Sequence, residues 1–199
     1  MKISAIILAA GGSKRMKDIN KLLLLIKNKP LISLVCETFL DVEIHKLILV
    51  IGYQYQNIVE LISSNKIEIV KNRIWEKGMM SSIHAGIRRL DSDIKGTFLV
   101  LADMPLVSKG TIFKLMEKIR ETKGQKIVFP THKKKQGNPV YFPKHYFSQI
   151  LQLYGDFGCK VILKKNLKDA INVEISSNEI ILDLDTIEDY GNIKKYVSN

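Results

Sequence analysis

The sequence predicts an α/β protein, a three-layer α/β/α sandwich on a mainly parallel, Rossmann-like sheet, and three observations predict it. Apolar, β-rich runs alternate with helical patterns, the runs lack period-two relief, and 199 residues at 46% hydrophobic content can bury a sizeable core as one unit. The alternation reads strand Ile3–Ala9, helix Pro30–Phe39, strand Lys46–Ile51, helix Gln56–Ile62, strand Ile67–Val70, helix Ser82–Leu90, strand Thr97–Leu101 and helix Lys109–Arg120. Leu47-Ile48-Leu49-Val50-Ile51 and Phe98-Leu99-Val100-Leu101 are apolar throughout, as expected where helices cover both faces of a parallel sheet. Beyond Gln125 two short extended runs, Lys126–Pro130 and Pro139–Phe142, flank a polar loop, and further helices lead to a late strand, Ile180–Leu184. With no internal repeat and no linker rich in Gly, Pro or Ser, residues 1–199 read as one domain of two halves, 1–125 and 126–199.

The net charge of +11 is compatible with nucleic acid, an acidic membrane surface or a small polyanionic substrate. The lysines are spread along the chain, and the one tight run, Lys133-Lys134-Lys135, has no interleaved aromatics, so it reads as a solvated loop and nucleic acid is not expected as a partner. Cys36 and Cys159 stand far apart without CxxC spacing, which argues against disulfide or zinc chemistry and for two packing residues in a reducing cytoplasm. The N-terminal apolar segment is too short and wrongly flanked for a signal or a membrane span, so a cytoplasmic protein with no membrane partner is expected.

In open sheets of this kind ligands sit beyond the carboxyl ends of the strands, and three motifs fall there. The first strand empties into Gly11-Gly12-Ser13-Lys14-Arg15-Met16, with Lys21 after a short polar gap. Glycines bring backbone amides close to a ligand, and Arg15 and Lys21 add charge suited to a triphosphate. The loop matches neither GxxxxGK[ST] nor GxGxxG, and alone it reads equally as a surface turn. In the second motif, Ala102-Asp103-Met104-Pro105, a strand-end carboxylate faces that cationic loop and is suited to Mg²⁺, against the simpler reading of Asp103 as a turn cap. The third is Asp183-Leu184-Asp185-Thr186, where strand alternation puts both aspartates on one side and Thr186 reads as N-cap of a final helix, with Asp189 three residues on. In Gly78-Met79-Met80-Ser81-Ser82 the methionine pair is core filler or ligand wall, and Ser81 or Ser82 at an N-cap, with free amides behind it, could bind an anion or a base edge. His84 reads as packing or surface, Trp75 as core or pocket wall, and Asp156 as an acceptor-side group or an Asx turn.

Taken together these segments resemble the molybdenum cofactor nucleotidyltransferases, within the wider superfamily of nucleotide-diphospho-sugar transferase fold. Leu8-Ala9-Ala10-Gly11-Gly12-Ser13-Lys14-Arg15-Met16 with Lys21 is similar to the family signature, and Asn72 to Ile83, Leu101 to Val107, Gly137 to Phe142, Gly155 to Lys160 and Asp183 to Thr186 resemble further family motifs in the family's order. Leu8-Ala9-Ala10-Gly11 and the serine pair resemble the cytidylyltransferase branch, where the guanylyl branch has glycine for Ala10. Departures are Lys17 for a usual glycine, Arg73 for proline, Asn138 for a frequent histidine, and Cys159-Lys160 for Ala-Arg.

The resemblance implies a Mg²⁺-dependent transfer, with Mn²⁺ as a substitute, of CMP from CTP to the phosphate of molybdopterin, releasing pyrophosphate; a molybdoenzyme or its chaperone is an implied recipient. It implies catalytic roles for Arg15, Lys21 and Asp103, metal ligation by Asp103 and Asp183, with Asp185 the alternative to Asp183, and a nucleotide site formed by Leu8, Ala9, Ala10, Gly11, Gly12, Ser13, Arg15, Lys21, Gly78, Met79, Ser81, Ser82 and Ala102. Asn138 and Asp156 fall on the acceptor side, so that 1–125 forms the nucleotide half and 126–199 the acceptor half. The alternatives are guanylyl transfer to the same cofactor, cytidylyl or uridylyl transfer to a sugar or polyol phosphate, a nucleotide sensor, and an RNA-binding module resting on charge alone.

Overall fold

The computed structural model describes residues 1–16, 19–62 and 64–198, so Lys17 lies outside the described residues. Strands β1 (Ile3–Ala9), β4 (Lys46–Ile51), β5 (Ile67–Lys71) and β6 (Gly96–Leu101) run parallel, as do β7 (Ile127–His132) and β10 (Ala170–Glu174). Their order across the main sheet is β10-β7-β9-β6-β1-β4-β5, in which β9 (Val140–Pro143) is antiparallel to both neighbours, and β8 (Lys135–Gln136) folds back on β7. A small hairpin, β2 (Leu25–Ile26) with β3 (Lys29–Pro30), leads into helix α1 (Leu31–Leu40).

Strand alternation divides the core into two layers. From β1, Ile3, Ala5, Ile7 and Ala9 face one layer and Ile6 the other; from β4, Leu47, Leu49 and Ile51 oppose Ile48 and Val50. Helix α1, α2 (Tyr55–Val59), α4 (Lys109–Glu121) and α7 (Ile187–Ser198) cover the first face through Val35, Phe39, Ile58, Ile112, Leu115 and Ile193. On the second face lie α3 (Met79–Ile87), α5 (Phe147–Ile150) and α6 (Lys160–Lys165), through Met80, Ile83, Ile150, Ile162 and Leu163. The buried, unrelieved strands thus have a helix layer on each side, the three-layer architecture that their composition predicts.

Two expectations are corrected, and one strand is new. Ile180–Leu184 is not a strand: Asn178–Ile180 is a 3₁₀ turn capped by the Ser177 hydroxyl, and the Leu184 amide bonds the Asp103 carbonyl at 2.9 Å, so the apolar side chains of Ile180 and Leu184 are core anchors of a crossing segment. The edge strand β10 carries no continuous apolar run, because only part of Ala-Ile-Asn-Val-Glu meets the core, and it escapes the sequence pattern. Helix α3 begins at Met79, three residues before the expected start, and Gly78, not either serine, is its N-cap residue. Gly78 holds φ +95°, and a Cβ there would stand 2.7 Å from the Gly155 carbonyl oxygen, so both backbone and contact exclude a side chain.

Candidate active site

Strand β1 lies between β4 and β6, so the chain leaves it in one direction and returns on the other, which opens a crevice at the strands' carboxyl ends. The turn after β1 is fastened by its own backbone: the Ala10 carbonyl accepts from the Tyr53 amide (3.1 Å), and the Ser13 carbonyl accepts from Met16 (2.8 Å), closing a 3₁₀ turn. Ser13 Oγ accepts the Lys21 amide (3.3 Å), and the Asn20 side chain caps the next turn by accepting from Leu22 (3.1 Å). These bonds aim the Lys21 side chain back across the crevice.

There its ammonium donates to Asp103 Oδ2 at 2.6 Å and Asp185 Oδ1 at 2.7 Å, while the guanidinium of the exposed Arg15 pairs with the other oxygen of Asp185. Burial alone would push the Lys21 ammonium down, but the Asp103 and Asp185 carboxylates outweigh it and hold its pKa above the ordinary lysine value. Asp183 lies in the same cleft, where desolvation first, and then the charges of Asp103 and Asp185, raise its carboxyl above the ordinary aspartate value. Asp103 Oδ1 is buried and has no hydrogen-bond partner among the described residues. Three carboxylates against two cations, with one oxygen orphaned, make a place that a further cation would complete. Asp185 is positioned from α7: Asp189 at the helix start accepts from the Asp185 amide (3.1 Å), the Thr186 amide (2.8 Å) and the Thr186 hydroxyl, and Thr186 Oγ1 accepts back from the Asp189 amide (3.1 Å).

The opposite wall is the start of α3. Asn72 donates to Ser81 Oγ (2.8 Å) and Ser82 Oγ (3.0 Å), and Ser81 Oγ donates to the Gly78 carbonyl (2.8 Å). The helix amides are already taken, Met79 by Asp156 Oδ1 (2.9 Å) and Met80 by the Gly155 carbonyl (3.1 Å), which corrects the expectation of free amides there. Asp156 is therefore a helix cap supplied from a distant loop. Trp75 is a wall, edge-on to Tyr53 with centroids 5.8 Å apart. It covers Gly52, where a Cβ would fall 2.5 Å from the indole Cγ.

Together these elements enclose a cleft of about 620 Å³. Every residue expected at the nucleotide side lines it except Ser81, whose hydroxyl is engaged with Gly78 and Asn72; Asp103, Asp183 and Asp156 also line it, and Asn138 opens on neighbouring cavities. Glu76 and Lys160 also line the cleft; both fall inside segments that resemble family motifs but carry no assigned role in the sequence, and Asp185, read there only as the alternative to Asp183, pairs with both cations. His84 is buried against the Ile150 carbonyl, a packing residue, and burial pushes both cysteine thiols up to about 12. His45, Asp91 and Asp93 cluster at the opposite, amino-terminal end of the strands, where Lys46 and Lys2 already pair with the carboxylates.

A glycine-rich turn facing clustered carboxylates and cations at a strand-order switch is an arrangement found in the nucleotide-binding α/β class. The chain belongs to the MobA-like NTP transferase domain family, whose model matches residues 5–170. It is 27% identical over 151 residues to the molybdenum cofactor cytidylyltransferase of Escherichia coli (strain K12), covering 75% of this chain and 74% of that one. Nicotine blue oxidoreductase of Paenarthrobacter nicotinovorans is 26% identical over 192 residues, 94% and 93% of the two chains. The bifunctional protein GlmU of Thermus thermophilus is 30% identical over 127 residues, 62% of this chain, which spans only 27% of that relative's length. In fold, the manganese complex of Rv0371C from Mycobacterium tuberculosis H37Rv superposes with a TM-score of 0.80 at 19% identity over 98% of this chain and 99% of that one. No helix among the described residues is long and apolar enough to cross a membrane.

Proposed function

We propose that this protein transfers CMP from CTP to the phosphate of molybdopterin, with Mg²⁺ or Mn²⁺, and releases pyrophosphate. The observation that carries the reading is the Lys21 ammonium held between Asp103 and Asp185, with the second Asp103 oxygen buried and unpartnered, opposite the Gly11-Gly12 turn. The donor set fits a hard divalent cation: carboxylate oxygens of Asp103 and Asp183 would hold it, with Asp185 beside them. Such an ion, when bound, neutralises phosphate charge and polarises the α-phosphoryl group. The family match and the named cytidylyltransferase and manganese-bound relatives support both parts of the assignment.

The chain's own work is positioning and charge neutralisation. Amides of the Ala10–Gly12 turn cradle the triphosphate. Lys21, released from its carboxylates toward the phosphates, and Arg15 offset charge developing on the α-phosphoryl oxygens and the leaving pyrophosphate. An acceptor phosphate is already ionised at neutral pH, so attack on the α-phosphorus needs no general base. The choice of cytosine rests on Ala10, whose methyl narrows the space beside the base, and on Ser82, which Asn72 holds in the cleft wall.

Nicotine blue oxidoreductase matches most of the chain and favours redox chemistry as a second reading. One assay separates them: pyrophosphate release from each of the four ribonucleoside triphosphates, with and without molybdopterin and with Mg²⁺ or Mn²⁺, beside oxidation of reduced nicotinamide nucleotide by an added dye as electron acceptor. Acceptor-dependent release from CTP is expected. Release only from GTP, or from UTP with a sugar phosphate, overturns the assignment, and nicotinamide oxidation without pyrophosphate favours the redox reading.

A further inference from the structure

Beside the charged cleft lies a second chamber of about 330 Å³ that opens into it, the two sharing Leu8, Met79, Leu101, Asp156 and Lys160 as walls. Its floor is apolar: Ile83, Leu99, Val140, Phe142 and Leu163 are each 7% exposed or less. The charged groups, Asp156 and Lys160, stand at the solvent-exposed rim with Gln136. Lys160 borders both cavities and forms no ion pair with any described residue. At the mouth stands Phe157, 51% exposed in a chain that buries most of its large apolar side chains.

The loop that presents Phe157 is tied down. Its Asp156 carboxylate accepts from the Met79 amide and its Gly155 carbonyl from Met80, and Gly155 and Gly158, at φ +103° and +60°, make the bend around the ring. A Cβ at Gly155 would lie 3.2 Å from the Phe157 ring edge, so the ring rests on the bend. An apolar floor with one half-buried amide, Asn138, besides the polar groups of its rim, and an aromatic ring at its mouth, discriminates by chemistry. A row of hydroxyls pressed onto that floor would lose water and find few side-chain partners beyond Asn138, whereas a flat ring gains from burial and from the face of Phe157. At this size, near the lower end of ordinary ligand pockets of about 300–1,000 Å³, the chamber suits a ring and not an extended chain.

We infer that this chamber holds the body of the phosphate acceptor and selects a flat, unsaturated ring bearing a phosphate over a sugar or polyol phosphate, Phe157 stacking on the ring and Lys160 pairing with the phosphate at the junction with the cleft. The inference deepens the nucleotidyl-transfer reading and rests on it for the word acceptor; the selectivity itself is tested without turnover. Calorimetry on the full chain with Mg²⁺ and a non-hydrolysable CTP analogue compares 1-naphthyl phosphate with ribitol 5-phosphate. The naphthyl ester should bind tighter, Phe157→Ala should weaken it about three- to ten-fold and Phe157→Leu by less, while Phe157→Tyr retains it. Binding of the CTP analogue by each variant, unchanged from the parent, confirms an intact fold and cleft.

Equal or tighter binding of ribitol 5-phosphate, or no loss in Phe157→Ala, overturns the chamber assignment. Pyrophosphate release separates this from the transfer reading. Turnover of CTP with the polyol phosphate removes the chamber's selectivity and keeps nucleotidyl transfer; ring binding as expected with no release from any nucleotide removes transfer and keeps the selectivity.

Discussion

The cleft and the chamber share a wall and differ in almost everything else. The cleft gathers Asp103, Asp183, Asp185, Lys21 and Arg15 around a glycine turn, and the chamber presents Ile83, Leu99, Val140 and Phe142. Charge in the first is held in place by bonds from three separate segments, which under the proposed function would serve the phosphoryl end of the reaction whatever is attached to it. The second holds no charge on its floor and can change its ligand by changing apolar shape. Substitutions in the two regions should therefore fail in different measurements.

The largest effect belongs to the cleft. Asp103→Asn removes a charge that pairs with Lys21 and that would hold the metal, and transfer should fall about a thousand-fold or more while circular dichroism stays that of a folded protein. Near-parental turnover in this variant would dissolve the distinction between the regions, because the carboxylate cluster would then have no catalytic part.

Next come the cations, which the structure ranks. Lys21 is 14% exposed between two carboxylates and Arg15 is 74% exposed against one, so solvent screens Arg15 far more. Lys21→Ala should lower kcat about a hundred-fold and Arg15→Ala about ten-fold, each with a smaller change in KM for the nucleotide. A KM effect exceeding the kcat effect would make them binding residues only. Lys21→Ala also frees Asp103 and Asp185, so Mn²⁺ binding without nucleotide, followed by electron paramagnetic resonance, should tighten.

A smaller effect is expected on the base. CTP should be preferred over GTP by roughly ten- to a thousand-fold in kcat/KM, and Ala10→Gly should relax that preference more than it lowers total activity. Equal use of CTP and GTP by the parent would mean that the cleft, like the chamber, is tuned by shape elsewhere than at Ala10.

The two regions also differ in how far they could be read from the amino acids. The βα alternation through Glu121 is local, since each buried strand is a continuous apolar run, and so the turn after Ala9 and the carboxylate after Leu101 fall at predictable places. What escaped depends on contacts made far along the chain. Asp156 looks like an Asx turn between glycines until Met79, 77 residues away, proves to be its donor. Ile180 and Leu184 look like a strand because both are fully buried, yet their segment crosses the strand ends with its amide on the Asp103 carbonyl. Strand alternation sets Asp185 beside Asp183, but the segment is not a strand, and its aim comes instead from the cap at α7. The chamber's rim was legible, since Asn138 and Asp156 lie in motif segments on the expected acceptor side, but its floor of Leu99, Val140, Phe142 and Leu163 looks like ordinary core until α3, β6, β9 and α6 are brought together.

That cap gives the smallest and most discriminating prediction. Asp189 accepts from the Thr186 hydroxyl and from two amides, and its loss should cost about 1 kcal/mol, a fall in Tm of about 2–4 °C for a chain of this size. Its carboxyl is held below the ordinary aspartate value of 3.8 first by the Thr186 hydroxyl bond, against some desolvation, with help from the two amides. A depressed folded pKa means that the contribution is complete above the unfolded value and disappears as pH falls through the folded one. The Tm gap between the parent and Asp189→Ala should therefore be full at neutral pH and close on acidification below 3.8. Because the capped segment carries Asp183 and Asp185 but no wall of the chamber, kcat should fall a few-fold while 1-naphthyl phosphate affinity does not move. A variant that loses ring affinity as much as kcat would show the cleft and the chamber to be one mechanically coupled site.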